Sequence, residues 1–162
     1  PYDTTILMDC DYFVFSSTLL ELANTKFDMM LHDRVKDLTG QNMIEGKDES
    51  TLPLVWATVT IFRKTENTKQ IFELIKHVQE YYTHYKNLYR IRYENYRNDY
   101  AFAIALHQLN LGDRIPTPMS MLADSVDVLD SDDDGIIFKH SNKVNFTSGL
   151  DLHIMDKEWC NG

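Results

Sequence analysis

Two aspartates separated by one residue are the clearest candidates for chemistry in this sequence. Asp9 and Asp11 follow the apolar run 4–8, whose length and β-branched content predict a buried, central strand. Side chains at positions i and i+2 of an extended segment point the same way, so both carboxylates can reach one ligand while Cys10 faces the other side. Paired oxygen donors suit Mg²⁺ or Mn²⁺, and such a cation in turn suits a diphosphate.

The same spacing also has a structural interpretation, because aspartates are common in turns and at helix caps. It recurs twice within 130–135, a segment that also matches the first half of a calcium loop. Position twelve of that loop would be Ser141 instead of the bidentate glutamate. We therefore expect a solvated acidic turn at 130–135. For Asp9 and Asp11, the sequence is compatible with both a metal site and a structural turn.

Size and charge narrow the class of protein. The chain has 162 residues, of which 43% are hydrophobic and 12% aromatic, so we expect one folded domain over 1–162. A formal charge of -9 argues against nucleic-acid binding, which needs a surplus of Lys and Arg. Two cysteines are too few for a disulfide framework, and neither a signal peptide nor a membrane-length apolar run is evident, which favours the cytoplasm.

The first predicted strand begins almost at Pro1. A parallel α/β sheet would normally have β-α units before such a strand. We therefore expect the chain to be the C-terminal part of a larger fold, with part of its nucleotide pocket supplied by an upstream segment or a partner chain.

The remaining patterns predict a mixed, partly Rossmann-like sheet flanked by helices. Further strands are predicted at 27–31 and 54–62, and helices at 19–22, 67–85 and 99–109, the last with Asn98 as its N-cap. Residues 33–52 predict a long polar loop. Short strand candidates at 125–129, 135–139 and 143–146 predict a small antiparallel addition to the main sheet.

Two later residues are candidates for the same site. Asp99 lies in the first turn of a predicted helix, where the helix dipole alone favours a carboxylate, but where a carboxylate can also face a substrate. His153 has no periodic role in its segment, so it can return to the cleft as a metal ligand. The tyrosines between positions 81 and 100 are instead expected to pack in the core or at an interface.

The order of these motifs resembles that of the GT-A glycosyltransferases, particularly the phage-encoded ones. The motifs are a strand ending in Leu-Met-Asp-Cys-Asp-Tyr, a polar loop, the strand 55–62, a helix opening Arg-Asn-Asp-Tyr-Ala-Phe, and a late histidine followed by Lys and Trp. The resemblance implies that Asp9 and Asp11 bind Mn²⁺ or Mg²⁺ and thereby the diphosphate of a nucleotide sugar. It further implies that His153 completes the metal shell and that Asp99 faces the acceptor, as general base in inverting members.

One departure concerns the donor sugar. Family members usually bring a glycine-containing turn against it, whereas Trp56 and Ala57 occupy that region here. Both are candidate donor-binding residues, although Trp56 can equally fill the core. The resemblance implies a metal-dependent glycosyltransferase with an unspecified acceptor, in the host cytoplasm if phage-encoded. The alternative is a non-catalytic interaction or virion-assembly module on the same scaffold.

Overall fold

The computed structural model describes residues 3–44, 52–122, 126–140 and 143–154. The strands are β1 (Thr4–Met8), β2 (Tyr12–Phe13), β3 (Met29–His32), β4 (Val35–Asp37), β5 (Asn42–Ile44), β6 (Trp56–Arg63), β7 (Asp113–Arg114), β8 (Met119–Met121), β9 (Val126–Ser131), β10 (Gly135–His140), β11 (Lys143–Ser148) and β12 (Leu152–His153). The helices are α1 (Thr18–Ala23), α2 (Glu66–Glu80), α3 (Tyr82–Leu88) and α4 (Asn98–Leu109). The predicted α/β class is confirmed. Within these ranges, no helix combines the length and apolarity needed to cross a membrane.

The main sheet has the strand order β1-β6-β3-β7. Strand β6 pairs antiparallel with both β1 and β3, and β7 adds in parallel to β3. The strand at 4–8 therefore forms, but the prediction that it is central and buried is wrong. It lies at the sheet edge in the described part of the chain, and Leu7 and Met8 are 53% and 42% exposed. An apolar run predicts a strand, but it does not give the position of that strand in a sheet.

Alternation along β6 places apolar side chains on both faces of the main sheet. Val59 and Ile61 pack with Leu19 of α1 on one face. Phe62 packs on the opposite face in the larger cluster that includes α2 and α4. Helix α4 is buried on nearly all sides, because its small side chains at 101, 103 and 105 allow close approach. Helices thus cover both faces of the sheet that leads into the candidate site.

The helix predicted at 67–85 is interrupted at Tyr81, so that α2 ends at Glu80 and α3 begins at Tyr82. The apolar stripe continues through the break, because Val78, Tyr82 and Tyr85 are all buried. Hydrophobic periodicity therefore predicted the buried face correctly but missed the break in the helix at Tyr81. The expected packing role holds for the buried tyrosines, whereas Tyr81 is 55% exposed.

The segment predicted as a long polar loop contains two short strands, β4 and β5, which pair antiparallel. Their turn is closed by Asp37, whose Oδ1 accepts hydrogen bonds from the backbone N–H groups of Thr39 and Gln41. The loop prediction is therefore wrong for this part, and residues 45–51 lie outside the described ranges. Strands of three residues are too short to show a clear alternation in sequence.

A second sheet, β2-β12-β8-β4-β5, joins the beginning of the chain to its end. The three C-terminal strand predictions are confirmed, but β9, β10 and β11 form a third, antiparallel sheet of their own. The prediction that they extend the main sheet is thus wrong. Ile136 and Phe138 of this third sheet pack against Leu152 and Ile154, on either side of His153.

The acidic segment 130–135 forms the turn between β9 and β10. Asp132 Oδ1 accepts hydrogen bonds from the N–H groups of Asp134 and Gly135, at 2.9 and 3.0 Å. The aspartates there are exposed. This geometry agrees with the expected solvated acidic turn.

His32 is a buried titratable group that makes stability depend on pH. Its Nδ1–H donates to the Thr117 carbonyl at 3.0 Å, and the side chain is 2% exposed. Burial lowers the pKa of His32 from 6.5 to about 4. Between these values the unfolded chain binds a proton that the folded chain does not, so stability should fall as the pH falls.

We expect the free energy of unfolding to decrease by up to about 3 kcal/mol between pH 7 and pH 4 on account of His32. Urea denaturation across this range measures the effect. The variant His32→Asn keeps a donor for Thr117 but cannot gain the charge, so its stability should depend less on pH. An equal pH dependence in both proteins would contradict the assignment.

Candidate metal centre

Asp9 and Asp11 lie in a turn that directly follows β1. The N–H of Asp9 donates to the Thr58 carbonyl of β6 at 2.9 Å, and the N–H of Tyr12 donates back to the Asp9 carbonyl at 3.2 Å. The expectation that 9–11 are extended is therefore wrong, and the alternative of a structural turn is confirmed, since the chain turns at Cys10. The two carboxylates still converge, because the turn is held against β6 on one side and leads into β2 on the other.

His153 reaches the same place from the end of the described chain. In β12 it is paired antiparallel with Tyr12 of β2 and parallel with Met121 of β8. The next residue, Ile154, donates its N–H to the Asp11 carbonyl at 2.9 Å. Backbone pairing thus joins the segment that carries His153 directly to the turn that carries Asp11.

The three side chains form one compact donor set. Each of Asp9, Asp11 and His153 offers one ligand atom, and these atoms lie within 4.8 Å of one another. His153 Nε2 is 3.4 Å from Asp11 Oδ1, which is longer than a good N–H···O hydrogen bond. Such spacing leaves room for a cation between the groups.

Two shielded polar atoms of this set lack a hydrogen bond within the described residues. They are Asp11 Oδ1 and His153 Nδ1, and both are buried from solvent. Buried polar atoms normally have partners, because leaving one unpaired costs about 1–3 kcal/mol. The buried carboxylate oxygen without a hydrogen bond, together with the mixed oxygen and nitrogen donors, therefore fits a divalent cation. The residues present match the ligand set that the resemblance implied.

The pKa of the Asp9 carboxyl also fits a cation at this position. Partial burial, and then repulsion from Asp11, raise the pKa of the Asp9 carboxyl, while His153 and a hydrogen bond from Thr58 lower it. Two like charges are thus held close together against their mutual repulsion. A bound cation would remove that repulsion and would favour the ionised form of Asp9.

The donor set opens into a cleft of about 410 Å³. Its lining contains every residue that the sequence predicted to belong to the site, except Asp11. It also contains residues that were not predicted to belong to the site. The lining is Asp9, Trp56, Ala57, Thr58, Tyr96, Arg97, Asn98, Asp99 and His153. The candidate metal centre, the candidate donor-binding residues and Asp99 therefore share one space.

Asp99 is tied to the wall of this cleft by both carboxylate oxygens. Oδ1 accepts a hydrogen bond from the N–H of Ala57 at 2.9 Å, and Oδ2 accepts one from Arg97 at 2.8 Å. The predicted N-cap, Asn98, is instead the first residue of α4, and the cap position is held by Arg97. Asp99 thus links the start of α4 to the start of β6 and fixes the width of the cleft.

Trp56 lies between the cleft and the core, so its packing role is confirmed, while its contact with a donor sugar stays a prediction. It lines the cleft, and it also packs against the buried cluster of Val35, Met119 and Met121. Sequence reasoning missed Thr58, Tyr96, Arg97 and Asn98 as cleft residues. The last three directly precede Asp99, so position in sequence was the available signal. No sequence pattern indicated Thr58, because its hydrogen bond to Asp9 depends on the turn at 9–11 lying beside β6.

Comparisons with protein-family models, with curated proteins and with solved structures gave no match. The function must therefore be inferred from the chemistry and geometry of the cleft.

Proposed function

We propose that the chain is a metal-dependent glycosyltransferase that takes its sugar from a nucleotide-diphosphate donor. The observation that carries the proposal is the convergence of Asp9, Asp11 and His153 in a cleft that also contains Asp99. Two carboxylates and one imidazole form a donor set that binds a divalent cation. Because Mg²⁺ favours oxygen ligands and imidazole suits transition metals, Mn²⁺ is the preferred cation.

The chain's own residues have separate tasks in this proposal. Asp9, Asp11 and His153 hold the cation, which when bound neutralises charge on the diphosphate leaving group. Trp56 and Ala57 lie beside the donor sugar. Asp99 accepts a hydrogen bond from the acceptor hydroxyl and orients it or removes its proton, since each carboxylate oxygen can accept a second bond beside the one already made.

Isothermal titration with a panel of nucleoside-diphosphate sugars tests the proposal. We expect at least one donor to bind in the presence of Mn²⁺ and to lose at least about tenfold in affinity when EDTA removes the cation. A nucleoside monophosphate, which lacks the diphosphate, is the matched control ligand and should bind more weakly. Donor binding that is the same with and without Mn²⁺ would contradict the proposal.

A second candidate function is a non-catalytic interaction module, and one surface favours it. The third sheet exposes Val144 and Phe146 of β11 by 64% and 57%, and Leu129 of β9 by 53%. Exposed apolar side chains that cluster on one sheet are typical of protein interfaces. Absence of donor binding across the whole panel, with or without Mn²⁺, would favour this function.

A further inference from the structure

Asp151 connects the segment of His153 to the segment that follows the Asp9–Asp11 turn. Its Oδ1 accepts hydrogen bonds from the backbone N–H groups of Phe15 and Ser16, each at 2.8 Å. Phe15 and Ser16 follow β2 after one intervening residue, and Asp151 comes directly before β12. One carboxylate oxygen therefore joins two segments that are far apart in the sequence.

The direct pairing between the two strands that this carboxylate joins is short. Strands β2 and β12 each contain two residues, and two residue pairs connect them in the described part of the chain. On its other side β12 pairs with β8, and Leu152 is buried in the core. Hydrogen bonds to a carboxylate acceptor are stronger than those between neutral groups, so the two bonds to Asp151 strengthen a connection that two residue pairs alone hold weakly.

The same connection determines where His153 lies. His153 is two residues beyond Asp151, and its neighbour Ile154 binds the Asp11 carbonyl. When β12 leaves β2, the imidazole leaves the two carboxylates. The fraction of molecules with β12 docked therefore limits the apparent cation affinity, because a ligand binds only the competent state.

We infer that Asp151 is a positioning residue of the cation centre, which holds His153 against Asp9 and Asp11 by clamping β12 to the segment after β2. Its role in cation binding rests on the proposed function. Asp151 does not itself belong to the three-residue donor set, and its contribution is made through the backbone of Phe15 and Ser16.

Mn²⁺ titration of two variants tests this inference. Asp151→Ala removes the acceptor and should weaken Mn²⁺ binding by about tenfold, the lower end of the effect of losing a supporting contact. Asp151→Asn keeps an oxygen acceptor but loses the charge, so its affinity for Mn²⁺ should lie between that of Asp151→Ala and that of the unmodified protein. Asp132→Ala is the matched control. It also removes an oxygen that accepts two backbone N–H bonds, but it lies in the β9–β10 turn and should leave the affinity unchanged.

Amide hydrogen exchange without metal supplies a second readout. In Asp151→Ala the N–H groups of Ile154 and Leu122, which bind Asp11 and His153 respectively, should exchange faster. The N–H of Asp9, which binds Thr58 in the main sheet, should keep its protection. Unchanged exchange at Ile154 and Leu122 would overturn the clamp, as would equal losses of affinity in the Ala and Asn variants.

The two proposals fail in different ways. If the unmodified protein binds no Mn²⁺, the proposed function is wrong and Asp151 has no role in cation binding. If the protein binds Mn²⁺ but Asp151→Ala binds it equally well, the metal centre stands and the positioning role of Asp151 is overturned.

Discussion

We expect Mn²⁺ to raise the melting temperature of the unmodified protein and Asp11→Ala to abolish that rise. A cation at one hundred times its dissociation constant stabilises the folded state by about 2.7 kcal/mol. For a chain of this size each kcal/mol corresponds to about 2–4 °C, so the rise should be roughly 5–10 °C. Removal of Asp11 leaves one carboxylate and one imidazole, which are too few to hold the cation at that concentration.

The melting temperature without metal should change little in this variant. Asp11 Oδ1 lacks a hydrogen bond within the described residues, and the Asp11 charge raises the pKa of Asp9 by repulsion. Loss of that repulsion offsets the loss of attraction to His153. The metal-free protein thus serves as an internal control for folding. Differential scanning fluorimetry with and without Mn²⁺ measures both quantities.

Asp130→Ala is the appropriate control variant, because Asp130 belongs to a pair with the same spacing in the β9–β10 turn. It should retain the full Mn²⁺ effect. A loss of the effect in Asp130→Ala but not in Asp11→Ala would place the cation in the acidic turn and remove the proposed mechanism.

Asp99→Asn is expected to lower kcat by about 10²- to 10³-fold while changing KM and melting temperature little. The asparagine Oδ1 can still accept the N–H bond from Ala57, so the link between α4 and β6 is retained. What is lost is the charge that, under the proposed function, orients or deprotonates the acceptor hydroxyl. Steady-state kinetics of donor turnover, combined with thermal unfolding, separates the two roles of this carboxylate.

Asp99→Ala completes the comparison. It removes both the charge and the acceptor for Ala57, and should additionally lose about 1 kcal/mol of stability. If Asp99→Asn keeps full kcat and only Asp99→Ala loses it, Asp99 is a structural link across the cleft and does not take part in the chemistry.

The grouping of the candidate residues was easier to predict from sequence than the pairing of the strands around them, although their function stays a prediction. The Asp pair at 9 and 11 was favoured because the run before it predicted a buried strand, but β1 lies at a sheet edge and β9 also leads into the pair at 130 and 132. His153 could be selected because nothing periodic explained it. Their convergence rests on backbone pairing between β2 and β12, which two-residue strands do not reveal. No sequence pattern indicated a structural role for Asp151, since its hydrogen bonds are made to Phe15 and Ser16, which are far away in the sequence.

The main errors in the predicted fold have a common physical cause. Local patterns predicted most helices and strands correctly, because periodicity reflects which side chains are buried. Strand β1 lies at a sheet edge, and β9–β11 form a sheet of their own. Both features depend on which strands pair in the folded chain, and local sequence patterns do not contain that information. The break at Tyr81 between α2 and α3 leaves the buried face continuous, so the apolar pattern could not show it.

The bonds between Phe15, Ser16 and Asp151 have a consequence for the order of folding. The bond from Phe15 to Asp151 spans 136 positions of the sequence. Closing so long a loop carries a large entropic cost, and contacts of high sequence separation form slowly. The antiparallel sheet β9–β10–β11 and the helices α2 and α3 involve contacts between residues that are close in sequence. These elements can therefore form before Asp151 reaches Phe15 and Ser16. We therefore expect the cation centre to assemble after the local elements, so that metal binding stabilises the finished fold without initiating it.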